Sequence, residues 1–546
     1  MPYVLPFILA MVVTMAALPL LVRLANKWLI VDLPGERKVH ASPIPRVGGI
    51  AMACGVLVAA LLTIPVQAAD RWFLIGAGVL VCFGAVDDRF DLDYRIKFIG
   101  QLLAVSIVVI LGDVQIHAIT LDDRIMLPAW ISMPLTVIFL VGVTNAINLA
   151  DGLDGLAGGT SFLCLCAAAL LSIIGGPGAS TALALAFAGA VLGFLRFNTH
   201  PASVFMGDAG SQLLGFAIGV LSVSVTQSAT SQVSAALPVL LLALPILDTL
   251  SVMVQRIAER RSPFSSDKNH IHHKLLAMGF DHHEAVVVIY AVQGGLFVLA
   301  YALRFESDLL IIAVVSAFFA ISIALLQIAA GTGWRFRDKT QSVSDAPVPR
   351  LVDTVRRSKF LPSFSYVAIA GALSVYAFLI VVETAALSDD MRMLIMALLA
   401  IIVALWAVMR RKPLNVVEKA ALYVTATVLV YLDAIVLHGD RRLSVLCWVV
   451  VALAAVGIAI RLRLFNDRRF QLTPLDLIVL FMALVVPSLP GTLGLPQGGA
   501  LAIAKLIVIF YAIEMLVSRS EGKAIWVRIA SAAVLTALTL RTLAPF

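Results

Sequence analysis

Long apolar segments recur along the whole chain and constrain its fold more than any other feature of the sequence. Runs of about 18 to 22 mostly apolar residues are each long enough to cross a bilayer as one helix. Hydrophobic residues make up 61% of the chain and charged residues 13%, whereas soluble domains have roughly 45–50% and 25%. We therefore predict an all-α, polytopic integral membrane protein. Transmembrane β-barrels would show shorter, alternating segments.

The apolar runs predict about eleven transmembrane helices before Gly331 and about seven after Phe360. A polar, basic stretch separates the two groups. The predicted parts are a membrane-embedded catalytic domain (1–331), a cytosolic linker (332–362) and a transmembrane extension of unknown role (363–546). The predicted spans of the first part are 2–23, 48–66, 72–86, 97–112, 130–148, 157–175, 179–195, 209–227, 234–255, 286–304 and 309–329.

The distribution of basic residues predicts the orientation of the chain. Lys and Arg concentrate in cytoplasmic loops of membrane proteins. Most of the 40 Lys and Arg residues fall in inside loops if the N-terminus is outside. The net charge of +7 then needs no nucleic acid partner. This orientation places the polar loops of the first part on the cytoplasmic face.

The stretch "NAINLADGLDGLAGG" follows a predicted span. Asn145, Asn148, Asp151 and Asp154 recur every three residues, so in a helix neighbouring members share one face. The glycines allow a backbone or a phosphate to approach closely. A capping or interfacial loop is the alternative, but uncompensated carboxylates at a membrane boundary are costly. We predict a polar site.

Two other stretches add carboxylates. In "GAVDDRFDLDYRIK", Asp87 and Asp88 are adjacent and repel each other unless a cation or a shared proton relieves the repulsion. An exposed acidic loop neutralised by nearby Arg and Lys explains Asp91 and Asp93 better than this pair. In "FNTHPASVFMGDAGSQ", Asp208 begins a predicted span, and such oxygens suit Mg²⁺.

The fourth stretch, "RIAERRSPFSSDKNHIHHKL", is a basic inside loop that contains three histidines in four residues. His270, His272 and His273 could bind a transition metal or donate hydrogen bonds to a diphosphate. A loop that is simply basic explains Lys and Arg, including Arg261, but not this run of histidines. Carboxylates, histidines and arginines at a membrane face together indicate phosphoryl transfer between a nucleotide-linked donor and a lipid.

These stretches resemble the polyprenyl-phosphate N-acetylhexosamine-1-phosphate transferases. "VDDRFDLDYRIKFIGQ", "NAINLADGLDGLAGG", "FNTHPASVFMGDAGS" and "HIHH" occur in the family's order within residues 1 to about 330. "GERKVHASPIPRVGG" and the eleven spans are similar to the branch that starts O-antigen, enterobacterial common antigen or teichoic acid synthesis. "HIHHKL" departs from the peptidoglycan branch. The resemblance does not cover the extension.

The resemblance implies a role for each site residue. It implies catalytic residues among four carboxylates, namely Asp87, Asp88, Asp151 and Asp154. It implies Mg²⁺ or Mn²⁺ ligands, namely Asp208, Asp88 and Asp154. It implies substrate-binding residues, with Phe205 stacking on uracil, namely Asn145, Asn148, Asn198, Phe205, His270, His272 and His273, and the basic loop adds Arg261 to the predicted set.

The implied function is transfer of an N-acetylhexosamine-1-phosphate from a UDP-sugar, UDP-GlcNAc first among them, to undecaprenyl phosphate. The enzyme would release UMP and start a cell-surface polysaccharide such as lipopolysaccharide, at the cytoplasmic face of a bacterial inner membrane. A homodimer is a candidate assembly. The alternative is a transporter or flippase of polyprenyl-linked sugars, or an accessory module for one, in the C-terminal half. CDP-alcohol phosphatidyltransferases are disfavoured because "DGLDGLAGG" lacks their arginine.

Overall fold

The described part of the chain forms two compact units. The computed structural model describes residues 3–33, 43–121, 123–228, 231–262, 269–336, 360–384, 392, 395–396, 399–400, 416–436, 441–464, 499–518 and 532–540. The first unit contains the described residues up to 336. The second unit contains those from 360 onwards.

The first unit is almost entirely helical. Its α-helices are α1 (Val4–Trp28), α2 (Gly48–Thr63), α3 (Ala68–Phe90), α4 (Tyr94–Ser106), α5 (Ala129–Ala150), α6 (Leu156–Gly175), α7 (Ala179–Asn198), α8 (Gly207–Gln227), α9 (Leu237–Leu241), α10 (Ala243–Ala258), α11 (Ile271–Ala277), α12 (His282–Ala302) and α13 (Asp308–Thr332). A π-helix, Ile107–Leu111, continues α4. Two antiparallel strand pairs join helices, β1 (Val31–Asp32) with β2 (Ile44–Pro45) and β3 (Ala118–Thr120) with β4 (Arg124–Met126).

The all-α membrane fold is confirmed. Ten helices among the described residues are long and apolar enough to cross a membrane. Nine of them lie in the first unit, and each of the eleven spans predicted there falls on a helix. The segment predicted at 48–66 is the shorter helix α2, and the segment at 234–255 is divided into α9 and α10.

The division between α9 and α10 has a local cause. Pro245 has no N–H, so it cannot donate to the carbonyl of Leu241 as a helical residue would. The side chain of Gln293 on α12 donates to that carbonyl instead, at 2.8 Å. A buried carbonyl in an apolar bundle is thereby satisfied from a neighbouring helix.

Small residues let α8 pack closely against α2 and α3. Gly49 on α2 lies against Gly210, and a Cβ at Gly49 would fall 2.1 Å from the Gly210 nitrogen. Gly84 on α3 lies against Ala209, and a Cβ there would fall 2.4 Å from the Ala209 Cα. Close approach through small residues is the usual way that membrane helices associate. It brings the carboxyl end of α3 to the amino end of α8.

The second unit contains the helices α14 (Phe360–Glu383), α15 (Val416–Val436), α16 (Arg441–Leu464) and α17 (Gly499–Ser518). Residues 532–540 are also helical. Its core holds a buried ion pair, in which the Lys505 Nζ lies 2.5 Å from the Asp433 Oδ2. The Tyr376 hydroxyl donates to the same oxygen at 2.8 Å. One of the seven spans predicted for the extension, at residues 474–490, lies outside the described residues.

Two glycines of α3 provide a matched test of the α3–α8 contact. We expect Gly84→Ala to destabilise the protein by about 1–3 kcal/mol, because overpacking of a tight contact costs that much. Gly78→Ala should be neutral or stabilising, because a Cβ at Gly78 meets nothing within 4 Å and Ala favours helix. Thermal unfolding in detergent measures both. Equal melting temperatures for the two variants would contradict this close contact.

Candidate active site

The candidate active site begins where the carboxyl end of α3 meets the amino end of α8. Asp88, only 6% exposed, accepts hydrogen bonds from the backbone N–H groups of Asp208, at 2.8 Å, and Ala209, at 3.1 Å. These donors belong to the first turn of α8 and have no partner inside the helix. Gly207 has φ +69°, and a Cβ there would fall 2.4 Å from an Asp88 oxygen. Asp88 therefore caps α8 and positions Asp208.

A lysine lies between two carboxylates at this junction. The Lys97 Nζ is 2.6 Å from the Asp87 Oδ2 and 3.0 Å from the Asp208 Oδ2. Asp93 caps α4, accepting from the Arg95 N–H, and so sets the start of the helix that carries Lys97. The Asp87 Oδ1 accepts from the Leu92 N–H at 2.7 Å. The sequence pattern predicted these carboxylates as site residues. It indicated Lys97 only as one of the basic residues that neutralise them.

Asparagines from α5 continue this polar cluster. The Asn148 Nδ2 donates to the Asp208 Oδ1 at 2.6 Å and to the Ser211 hydroxyl at 2.8 Å. Asn145, one turn earlier, donates to the Gln101 Oε1 at 2.8 Å. The Gln101 Nε2 contacts the Gln212 Oε1 at 3.3 Å. These bonds tie α4, α5 and α8 together beneath the carboxylates.

Asp151 and Asp154 lie in the short loop that joins α5 to α6. Asp151 is exposed at the carboxyl end of α5. The Asp154 Oδ2 faces histidine instead, with the His200 Nδ1 at 2.7 Å, and it also accepts from the Ala202 N–H at 3.1 Å. The His282 ring stacks on the His200 ring, with centroids 4.2 Å apart. The role of Asp154 as a magnesium ligand stays a prediction.

The predicted "HIHH" histidines lie on the other side of this loop. The His270 Nδ1 lies 2.9 Å from the Asp248 Oδ2, and the Ile271 N–H donates to the Asp248 Oδ1 at 2.7 Å. Asp248 on α10 thus anchors the start of α11. His272 is 3% exposed, and a Cβ at Gly152 would fall 2.2 Å from its Nε2. His273 packs against His272, with ring centroids 4.2 Å apart.

Burial and the neighbouring His273 lower the pKa of His272 to about 4. His272 is therefore a neutral imidazole at neutral pH, because burial in a low-dielectric site disfavours the charged form. Its Nε2 is buried without a hydrogen-bond partner. An orphaned buried nitrogen costs free energy unless a ligand satisfies it. The loop at Gly152 is therefore a place where a ligand group could bind.

The other predicted substrate-binding residues are placed differently. The Asn198 side chain is 4% exposed, accepts from the Gly155 N–H at 2.9 Å and donates to the Val204 carbonyl at 3.0 Å. It therefore braces two loops. The Phe205 backbone bonds to Pro45 and Gly48, which connects it to the "PIPRVGG" segment. Arg261 is exposed and pairs with Glu259 at 3.1 Å. Substrate-binding roles for these residues stay predictions.

Several residues of the site were not singled out from the sequence. They are Lys97, Gln101, Asp248, His200 and His282, joined by Arg46, whose guanidinium pairs with Asp32. Lys97, Gln101 and His200 stand inside the stretches quoted above, beside the residues that were predicted, whereas Asp248 and His282 lie outside them. Their place in those stretches is the signal for the first three, and a lone carboxylate in an apolar run is the signal for Asp248.

The sequence of the first unit is similar to those of known membrane transferases. The sequence model of the family described as Glycosyl transferase family 4 matches residues 71–226. A Bacillus subtilis (strain 168) protein described as a probable undecaprenyl-phosphate N-acetylglucosaminyl 1-phosphate transferase is 37% identical over 294 residues, covering 53% of this chain and 81% of that protein. The chain belongs to the polyprenyl-phosphate N-acetylhexosamine-1-phosphate transferase superfamily.

Other relatives in the superfamily show a similar likeness. A decaprenyl-phosphate N-acetylglucosaminephosphotransferase of Mycolicibacterium smegmatis is 37% identical over 304 residues, covering 50% of this chain and 74% of that protein. An undecaprenyl-phosphate alpha-N-acetylglucosaminyl 1-phosphate transferase of Escherichia coli (strain K12) is 31% identical over 273 residues. The match covers 49% of this chain and 74% of that protein. The family match ends at residue 226, so it lies wholly in the first unit.

The segment after α13 packs against the residues that follow α11, the helix of the predicted histidines. The Phe336 N–H donates to the Met278 carbonyl at 2.8 Å, and the Phe336 ring stacks on Phe280, with centroids 4.4 Å apart. The Trp334 ring also lies near the Phe280 ring, with centroids 6.4 Å apart. Met278 and Phe280 directly follow α11, so these contacts hold the end of the histidine segment.

We expect a chain that ends after Phe336 to melt at a higher temperature than one that ends after Ala330. The shorter chain loses the backbone hydrogen bond and an aromatic pair that contributes about 0.5–1.5 kcal/mol beyond its buried area. Thermal unfolding of both proteins in one detergent measures the difference. Phe336→Ala in the full chain is the control for loss of the ring alone. Identical melting of both truncated chains would contradict the bracing role.

Proposed function

We propose that the chain transfers an N-acetylhexosamine-1-phosphate, in the first place GlcNAc-1-phosphate from UDP-GlcNAc, to undecaprenyl phosphate. The observation that carries the proposal is the Asp87–Lys97–Asp208 cluster at the ends of membrane helices, beside a loop flanked by histidines. The printed names of the relatives describe the same transfer to undecaprenyl or decaprenyl phosphate. The reaction would start synthesis of a cell-surface polysaccharide.

In the proposed reaction an oxygen of the lipid phosphate attacks the β-phosphorus of the donor. The bond from that phosphorus to the bridging oxygen breaks, and UMP leaves with the oxygen. Both substrates are anionic, so the site must neutralise charge and hold the reacting atoms in line. Lys97 supplies a cation at the carboxylate cluster. We assign to Asp87 the acceptance of any proton that the lipid phosphate carries.

The carboxylate cluster also fits the expected Mg²⁺. Asp87 and Asp208 already face one cationic group, the Lys97 ammonium, and they offer the oxygen ligands that hard cations prefer. We therefore propose that Asp208 is the main Mg²⁺ ligand, with Asp88 fixing Asp208 through the first turn of α8 and Asp87 left to accept the proton. When bound, the ion would neutralise phosphate charge. We do not extend this set to Asp154, because its carboxylate faces the His200 ring and not Asp208 or Asp87.

The histidines would contribute on the donor side of the site. The buried Nε2 of His272, which has no hydrogen-bond partner, lies at the Gly152 backbone, where a phosphate or sugar oxygen could approach. His270 is held by Asp248 and serves to orient the segment. Asn148 would orient Asp208, whose Oδ1 it already contacts.

We further propose that the active face is cytoplasmic, with the N-terminus outside, in a bacterial inner membrane. The bias of Lys and Arg towards one set of loops supports this orientation. The clustered carboxylates of the first unit lie at helix ends, where α3 and α5 end and α8 begins. A transporter would carry them near the bilayer midplane on interrupted helices, so transport is disfavoured for this unit.

Asp208→Asn tests the proposed function. We expect kcat to fall more than about a hundredfold, because removing a main electrostatic stabiliser costs that much or more. The assay supplies UDP-GlcNAc, undecaprenyl phosphate and Mg²⁺ in detergent and measures UMP and the lipid product. Asp123→Asn, an exposed position on the β3–β4 hairpin, is the matched control and should keep the wild-type rate.

Metal removal is the second arm of the same assay. Excess EDTA should abolish transfer, and added Mg²⁺ or Mn²⁺ should restore it. Full activity in chelator would overturn the Mg²⁺ assignment alone. A wild-type protein that releases no UMP with any UDP-N-acetylhexosamine would overturn the proposed reaction.

A further inference from the structure

Three side chains with metal-ligating atoms converge beside the loop that joins α5 to α6. They are Asp154 from this loop, His200 from the loop after α7, and His282 from the start of α12. Each offers one ligand atom, and the three atoms lie within 4.8 Å of one another. All three side chains are partly buried. Among the described residues, this is the one group of three or more Asp, Glu, His or Cys side chains with this geometry.

The donor set selects a class of metal. Two imidazole nitrogens and one carboxylate oxygen suit divalent transition metals such as Zn²⁺ and Co²⁺. Mg²⁺ prefers an all-oxygen set, which the Asp87 and Asp208 cluster offers instead. The two groups therefore differ in chemistry as well as in residues.

The backbone holds the three ligands in place. The Asn198 side chain bonds to both Gly155 and Val204, so it links the loop of Asp154 to the loop of His200. The Tyr290 hydroxyl on α12 donates to the Gly155 carbonyl at 2.6 Å, which ties the Asp154 loop to the helix of His282. Such supporting bonds usually orient metal ligands and raise affinity.

The contacts among the three ligands are compatible with exchange of a proton for a metal. The His200 Nδ1 and the Asp154 Oδ2 are 2.7 Å apart, which is a hydrogen bond. A metal that both atoms bind would replace the proton they share. The His282 Nε2 lies 3.4 Å from the Asp154 carbonyl oxygen, a weak contact that a metal could displace.

We propose that Asp154, His200 and His282 form a binding site for a divalent transition metal of the Zn²⁺ class. Three protein ligands leave the fourth position of a tetrahedral ion open. Binding would cross-link the α5–α6 loop, the α7–α8 loop and α12, three elements that hydrogen bonds and ring stacking already bring together. The site is separate from the proposed Mg²⁺ cluster and does not require the proposed reaction.

The test measures metal binding by the full chain in detergent, after stripping with a chelator. We expect one Co²⁺ per chain, with a visible absorption spectrum that Zn²⁺ abolishes and millimolar Mg²⁺ does not. His200→Ala and His282→Ala should each weaken binding about tenfold or more. His117→Ala is the matched control. His117 lies at the opposite end of α5, whose 22 residues span about 33 Å.

Asp208→Asn separates the two metal groups. This variant should lose transfer activity and keep Co²⁺ binding. The control His117→Ala should keep Co²⁺ binding as well. Loss of Co²⁺ binding in Asp208→Asn, or unchanged binding in both His200→Ala and His282→Ala, would overturn the proposal. So would a wild-type protein that binds neither Co²⁺ nor Zn²⁺ at micromolar concentration.

A second measurement does not depend on the folding of any variant. X-ray absorption at the zinc edge of the wild-type protein reports the ligands of a bound ion directly. We expect a first shell of nitrogen and oxygen with the outer-shell signature of two imidazoles. A shell without imidazole would show that the metal is bound elsewhere and would overturn the assignment.

Discussion

The active-site region depends on one buried carboxylate at the amino end of a membrane helix. Asp88 accepts the N–H groups of Asp208 and Ala209 and is almost fully buried. A carboxylate favours this position because the helix end carries unpaired N–H groups and the positive end of the helix dipole. The contact can form only because Gly84 lets α3 approach α8 closely. It therefore determines where Asp208 lies relative to α3 and to Lys97.

Charge compensation explains why so many carboxylates are tolerated at the membrane boundary. Asp87 and Asp208 share Lys97, Asn148 donates to Asp208, and Asp88 accepts two backbone N–H groups. Each of these three carboxylates therefore has a partner, because an unpaired charge near a low-dielectric phase is costly. Two acidic substrates brought to this face would meet a lysine and, on our proposal, a magnesium ion.

Histidines lie on both sides of the loop that joins α5 to α6. Six of the nine histidines of the chain lie beside the α5–α6 loop, and they form two groups, His200, His282 and His283 on one side and His270, His272 and His273 on the other. The first group comes from two segments that are about 80 residues apart in sequence, so only the fold unites it. Neutral imidazoles such as His272 are available as hydrogen-bonding groups and as metal ligands.

The sequence by itself determined the membrane class, the helices and the polar character of their ends, because hydropathy and helical periodicity are local properties. It also indicated Asp87, Asp88 and Asp208. Only the tertiary structure decided which polar groups meet. Asp88 contacts a residue 120 positions away, and Asp154 turns towards His200 instead of the other carboxylates. Such pairings depend on how glycine-lined helix faces pack, and no local pattern encodes them.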